Sequence, residues 1–129
     1  CHRMDLAYAV ADLVLCRAGA ATVGELLAVG LPAVLMPYPY HRDQHQRLNA
    51  AAMVDAGAAI EVIDRCDAEV NAAALRGSLL AIMRDASRLE AMTRAAAATG
   101  RPDAAEAIAD WMLGGREAVS SQSADAGDI

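Results

Sequence analysis

Two short stretches of this chain combine residue types and spacings suited to ligand chemistry. The first runs Cys16-Arg17-Ala18-Gly19-Ala20-Ala21-Thr22-Val23-Gly24-Glu25, continues as an apolar helix pattern and stops at Gly30-Leu31-Pro32. It reads as a strand that turns through small residues straight into a helix N-terminus. There the first backbone N–H groups have no internal partners and the helix dipole places partial positive charge, so a phosphate is favoured without any basic side chain. Gly19 permits the sharp turn, and Ala20 and Ala21 let a ligand approach the backbone. Thr22 is the expected N-cap, with Glu25 three residues on completing a capping box. The same Thr-x-x-Glu spacing also serves as an ordinary helix start, so the segment alone leaves both readings open.

The second stretch, His41-Arg42-Asp43-Gln44-His45-Gln46-Arg47-Leu48-Asn49-Ala50, gathers hydrogen-bonding side chains at and just inside another helix start. Asp43 is an expected N-cap with Gln46 at the N3 position. His41 and His45 stand four apart, the spacing of a metal pair on one helix face, but His41 precedes the helix and no third ligand stands nearby. Amide and imidazole groups can both donate and accept, which suits a hydroxyl-rich ligand such as a sugar.

The elements that must position these stretches alternate in period. Met4 to Ala11 has helical spacing, and Leu13-Val14-Leu15-Cys16 is a short apolar run. Val23 to Val29 is helical again, Ala33-Val34-Leu35-Met36 is a second strand, and Asp43 to Ala56 is a helix closed by Gly57. Ala59-Ile60-Glu61-Val62-Ile63 is a third strand. Strands this apolar, separated by helices, predict a parallel sheet buried on both faces. In such sheets ligands bind beyond the carboxyl ends of the strands, where both candidate stretches fall. After Asp67 the strand signal ends. Val70, Ala74, Leu75, Leu79 and Ile82 form one helical stripe, Ser87-Arg88-Leu89-Glu90 opens a second helix with its own capping box, and Pro102 opens a third carrying Ile108 and Trp111. All three are expected to be packing helices. Gly115 to Ile129 has no apolar period and is expected to be a disordered polar tail, leaving residues 1–114 as the ordered part.

Composition narrows the class. The 129 residues are 56% apolar, with 32 alanines, one Trp and no Phe, which predicts a core of small side chains and close helix packing. A net charge of −6 argues against a nucleic-acid partner, which needs clustered Lys and Arg. No run reaches the ~20 apolar residues of a membrane span, and no leader pattern is evident. Cys1, Cys16 and Cys66 lack paired spacing and read as reduced thiols. A first residue that is not Met, and an opening helix with no strand before it, suggest a fragment of a longer protein.

Several stretches together carry a resemblance: Met4 to Glu25, then Gly30-Leu31-Pro32-Ala33, Gln46-Arg47-Leu48-Asn49-Ala50 and Ala56-Gly57. The chain resembles the MurG family, the N-acetylglucosaminyltransferases of peptidoglycan synthesis, from about Cys1 to Gly114. The resemblance implies an α/β fold, a parallel sheet with flanking helices forming part of the C-terminal, Rossmann-like donor domain of a B-type (GT-B) glycosyltransferase, followed by packing helices. It implies an enzyme that moves N-acetylglucosamine from its UDP donor to undecaprenyl-pyrophosphoryl-N-acetylmuramyl-pentapeptide (lipid I), giving lipid II. It places the enzyme in the cytoplasm, peripheral on the cytoplasmic face of the plasma membrane.

In that family the segment matching Ala20, Ala21, Thr22, Val23, Gly24 and Glu25 holds the donor. Backbone N–H groups and the Thr22 hydroxyl meet the diphosphate, and the Glu25 carboxylate accepts from the ribose hydroxyls. The residue matching Gln46 meets the sugar hydroxyls, His45 stands beside it at a variable position, and the residue matching Cys1 meets the uracil through its main chain. Cys1-His2-Arg3 and Gly24 depart from the family's usual residues without removing a needed group. No cofactor is expected, and no metal is required if the helix dipole and its N–H groups stabilise the departing UDP. The acceptor site and the catalytic base lie outside this chain, so the fragment alone is expected to be inactive. Two other readings stand beside this one: a different UDP-sugar enzyme of the same fold, such as a lipid glycosyltransferase or an epimerase, and a non-catalytic nucleotide-sugar or interaction module.

Overall fold

A computed structural model describes residues 3–40, 45–101, 103 and 106–113. In chain order the elements are α1 (Met4–Ala9), β1 (Val14–Cys16), α2 (Ala20–Val29), β2 (Ala33–Leu35), α3 (His45–Asp55), β3 (Ala59–Glu61), α4 (Ala68–Met83) and α5 (Ala86–Thr99). A further helix covers residues 106–113. The strands pair in parallel in the order β1-β2-β3, with Val14 opposite Ala33 and Ala33 opposite Ala59. The expected α/β parallel sheet with flanking helices is therefore present.

Alternation along β2 divides the interior in two, because successive strand side chains point to opposite faces. Ala33 and Leu35 face one cluster with Val23, Leu26, Leu31, Ala50, Met53 and Ala96, drawn from α2, α3 and α5. Val34 faces the other, with Met36, Val62, Ile82 and Met92, which α4 and α5 complete. Burial on both faces holds for β2 throughout, whereas β1 and β3 are only partly covered and Leu15 is 45% exposed. The small-residue core is as the composition predicts: Ala18, Ala33, Ala50, Ala58, Ala59 and Ala96 are all buried.

The same helix-to-strand turn occurs twice. Gly30 and Gly57 both adopt a left-handed backbone, with φ of 71° and 77°. After α2, Leu31 N–H donates to Leu26 O and Gly30 N–H to Leu27 O; after α3, Ala58 N–H donates to Met53 O and Gly57 N–H to Val54 O. This pair of bonds satisfies the last carbonyls of each helix and delivers the chain directly into β2 or β3. Both stops sit where the sequence pattern places them.

Other local expectations yield to the structure. The cap of α5 is Asp85, whose carboxylate accepts from Arg88 N–H at 3.0 Å and from the Ser87 hydroxyl at 2.7 Å. Ser87 is thus inside the helix rather than at its cap, since an ionised acceptor at the N-terminus gains from the helix dipole as well as from the bond. Asp67 caps α4 in the same way. On α4 only the C-terminal part of the expected stripe packs: Leu75, Leu79 and Ile82 join the core, while Ala74 is exposed and Val70 is 50% exposed. In the helix over 106–113, Ile108 and Trp111 are 59% and 78% exposed, so the apolar side chains of this expected packing helix are not buried. The tail over 115–129 lies outside the described residues.

Candidate functional site

Parallel pairing brings the carboxyl ends of β1, β2 and β3 to one side of the sheet, with their loops leading into α2, α3 and α4. Arg17, the residue after β1, ties the three loops together. Its Nη1 donates to Met36 O at 3.1 Å, to Pro37 O at 3.3 Å and to Asp64 Oδ2 at 2.7 Å, and its guanidinium stands 5.7 Å from the centre of the Tyr38 ring. Asp64 in turn accepts from Cys66 N–H and from Asn71 Nδ2. These three donors hold the Asp64 carboxyl below its usual value, the Cys66 N–H having the largest influence, then Arg17 and Asn71.

That depression makes the loop junction acid-sensitive in a defined direction. A carboxylate with a lowered folded value contributes stability that is fully present above its unfolded value of 3.8 and is lost as pH falls through the lower folded value. Thermal unfolding followed from about pH 6 to about pH 2 should show a fall in Tm on this limb. Asp64→Asn should lower Tm at neutral pH and flatten the same limb.

The start of α2 differs from its expected form. Gly19, not Thr22, is the N-cap, with φ −66° and ψ 145°, and Val23 N–H donates to Gly19 O at 2.9 Å. Two alanines can propagate a helix from that point, so the cap lies three residues before Thr22. A glycine cap has no side chain to occupy the first-turn donors, which leaves the N–H groups of Ala20, Ala21 and Thr22 without intrahelical partners. The capping box is consequently absent. Glu25 lies well inside the helix, exposed, and its Oε2 accepts from the Tyr8 hydroxyl of α1 at 2.8 Å. The carboxylate and burial raise the Tyr8 phenol above its ordinary value, the hydrogen bond being the larger cause. Val23 is buried in the core, so only its main chain faces outward chemistry, and Gly24 has open space where a Cβ would stand.

Gln46 lies in the first turn of α3, and its Oε1 accepts from Tyr38 N–H at 2.9 Å. It therefore braces the loop after β2, and its two Nε2 hydrogens have no acceptor among the described residues; the expected pairing with an Asp43 cap lies outside them. Three residues on, Asn49 donates through Nδ2 to Ala18 O at 3.1 Å, tying α3 to the turn that precedes α2. Residues three apart share a helix face, so Gln46 is on the face that looks toward the Gly19 turn. His45 opens α3 and is exposed. Cys1, His41 and Asp43 lie outside the described residues, as does any test of the His41–His45 pair. Among the described residues no cluster of three or more metal-ligating side chains occurs, and no helix is long and apolar enough to cross a membrane.

A recess beside this edge is lined by Tyr38, Arg47, Glu61, Ile63 and Asp64, with Arg47 Nε 3.2 Å from Glu61 Oε1. None of Ala20 to Glu25 lines it, and the chemistry of the α2 start is an open surface. Sequence reasoning gave no individual role to Arg17, Tyr8, Asn49 or Asp64. An Arg directly after one apolar strand and an Asp just after another is the available signal for the first and last. Tyr8 and Asn49 act across distances in sequence that carry none.

Comparison with known proteins places this geometry in a family. The chain is 52% identical over 108 residues to a protein of Acidothermus cellulolyticus named UDP-N-acetylglucosamine–N-acetylmuramyl-(pentapeptide) pyrophosphoryl-undecaprenol N-acetylglucosamine transferase, covering 84% of this chain and 28% of that protein. It is 48% identical over 111 residues to a protein of the same name from Mycolicibacterium smegmatis, covering 86% of this chain and 28% of that protein. The crystal structure of Acinetobacter baumannii MurG superposes with a TM-score of 0.72 at 33% identity, over 85% of this chain and 30% of that one. The chain thus spans under a third of the length of these relatives. Residues 1–108 match the model of the glycosyltransferase family 28 C-terminal domain, and the chain belongs to that family.

Proposed function

We propose that this chain is the donor-binding part of an enzyme that transfers N-acetylglucosamine from UDP-N-acetylglucosamine to lipid I, giving lipid II, with residues 1–114 forming part of the donor domain. The observation that carries the reading is the Gly19-capped start of α2, with free N–H donors at the carboxyl ends of parallel strands and a carboxylate further along the same helix. Supporting it are relatives that carry the transferase name at about half identity.

On this reading the N–H groups of Ala20, Ala21 and Thr22, with the Thr22 hydroxyl, meet the diphosphate. As the bond to the anomeric carbon breaks, negative charge grows on the departing UDP, and donors already fixed by the helix stabilise it without reorganising. Glu25 accepts from the ribose hydroxyls, where an ionised acceptor gives stronger bonds than a neutral one. Gln46 directs its Nε2 hydrogens at the sugar hydroxyls, and His45 and the main chain of Cys1 border the sugar and the uracil. The acceptor hydroxyl must lose its proton to a base, which we assign, with the lipid I site, to the remainder of the protein. This chain alone is expected to bind donor without transferring it. An acceptor anchored in lipid makes a peripheral position on the cytoplasmic face of the plasma membrane the expected one.

Gln46→Glu keeps the acceptor for Tyr38 N–H and removes the two donors. It should weaken UDP-N-acetylglucosamine at least about fivefold more than UDP, as read by calorimetry, the loss of one neutral hydrogen bond at about 1 kcal/mol adding to a charge repulsion that both nucleotides feel. The function itself is tested by incubating the full-length protein with labelled UDP-N-acetylglucosamine and a lipid I analogue. Formation of a lipid II analogue with release of UDP is expected. Conversion of the nucleotide sugar in the absence of any acceptor would instead identify an epimerase, and no turnover with intact donor binding would identify a binding module.

A further inference from the structure

Glu25 sits on the exposed side of α2, yet it is held. The Tyr8 hydroxyl reaches it at 2.8 Å from a different helix, seventeen residues earlier in the chain. The packing of α1 does not require that hydroxyl, because the Tyr8 ring itself rests against the core cluster of Val23 and Leu26 and a phenylalanine would fill the same space. A glutamate side chain free on a helix surface samples many rotamers, and binding a ligand through it costs the entropy of choosing one. A fixed donor makes that choice beforehand.

The stoichiometry of hydrogen bonding permits it. An ionised carboxylate offers about four acceptor positions on its two oxygens. Tyr8 occupies one on Oε2, leaving Oε1 and the rest of Oε2 for two vicinal hydroxyls. Arg3, the cation at the N-cap of the same short helix, is engaged by Asp5 at 2.7 Å and does not compete for Glu25.

We propose that Tyr8 is a positioning residue that sets the rotamer of Glu25 for the ribose cis-diol of a nucleoside diphosphate. The inference rests on the reading of Glu25 as the ribose acceptor, and goes beyond it by assigning diol selectivity to a pair of residues on α1 and α2.

The test is calorimetry on the full-length protein with two probes, UDP and 2′,3′-dideoxy-UDP, and two variants, Tyr8→Phe and Glu25→Gln. Tyr8→Phe should raise the Kd for UDP about fivefold, the worth of one hydrogen bond, and leave the Kd for the dideoxy probe unchanged, which also reports that the diphosphate site is intact. Equal weakening of both probes would overturn the proposal by making Tyr8 a packing residue. So would tighter UDP binding, which would make the phenol a competitor of the diol. If Glu25→Gln weakens UDP while Tyr8→Phe does not, the positioning role fails and the ribose assignment stands. If Glu25→Gln leaves UDP unmoved, the ribose assignment fails and takes this inference with it.

Discussion

Removing the Glu25 carboxylate is expected to raise the Kd for UDP-N-acetylglucosamine by about 10- to 100-fold, the range for losing hydrogen bonds to a charged acceptor. The same change should scarcely move thermal unfolding. Glu25 is exposed, it caps no backbone N–H among the described residues, and its hydrogen bond to Tyr8 is a surface one. Calorimetry and a melting curve on Glu25→Ala separate the two roles that its spacing from Thr22 allows. A carboxylate that served a capping box would lose about 1 kcal/mol of stability and no affinity. The structure assigns the N-cap to Gly19, so no capping loss is expected, and a loss of affinity is the outcome that the proposed ribose contact requires.

Gly100→Ala should produce the largest loss of stability. A Cβ on Gly100 would stand 2.1 Å from Leu27 O and 3.0 Å from its carbonyl carbon, both backbone atoms of α2. No side chain can rotate away to relieve such a contact; one helix has to move. Overpacking of this kind costs about 3 kcal/mol, which for a domain of this size is a fall in Tm of roughly 10–20 °C. Because the displaced helix is the one that carries Ala20 to Glu25, donor binding should weaken as well. Gly77→Ala is the matched control. Gly77 lies inside α4 with nothing within 4 Å of its Cβ position, so the substitution should stabilise by up to about 1 kcal/mol through helix propensity alone.

Close approach at Gly100 also explains how α5 serves both halves of the interior. Its C-terminal part packs Ala96 against the α2 and α3 cluster, with the Ala97 Cβ 3.2 Å from where a Cβ of Gly30 would stand. Its middle places Met92 in the other cluster with Ile82. Small residues let the two helices meet at backbone distance, which is the use an alanine-rich chain makes of its composition.

Much of the fold was legible because its signals are local. The apolar runs around Val14, Val34 and Ile60 are strands wherever they fall, and a glycine at φ near +70° stops a helix with little help from the rest of the chain. The start of α2 was legible for the same reason: a turn of small residues between strand and helix leaves unpartnered N–H groups by construction. Where two local chemistries competed, pattern reasoning chose the wrong one. Thr22 and Ser87 were both plausible caps, but the helices begin earlier, at Gly19 and Asp85, because Ala20 and Ala86 extend them backward.

By itself, then, the order of residues determined the alternation of strands and helices, the sites where helices stop and the place of the small-residue turn that opens α2. Tertiary structure alone decided which side chains meet. Arg17 joining three loops, Gln46 bracing Tyr38, Asn49 reaching Ala18 and Tyr8 holding Glu25 each bridge residues between eight and forty-seven positions apart. Such pairings depend on how the helices lie across the sheet, which is set by the fit of small side chains in two cores and not by any local pattern of residues.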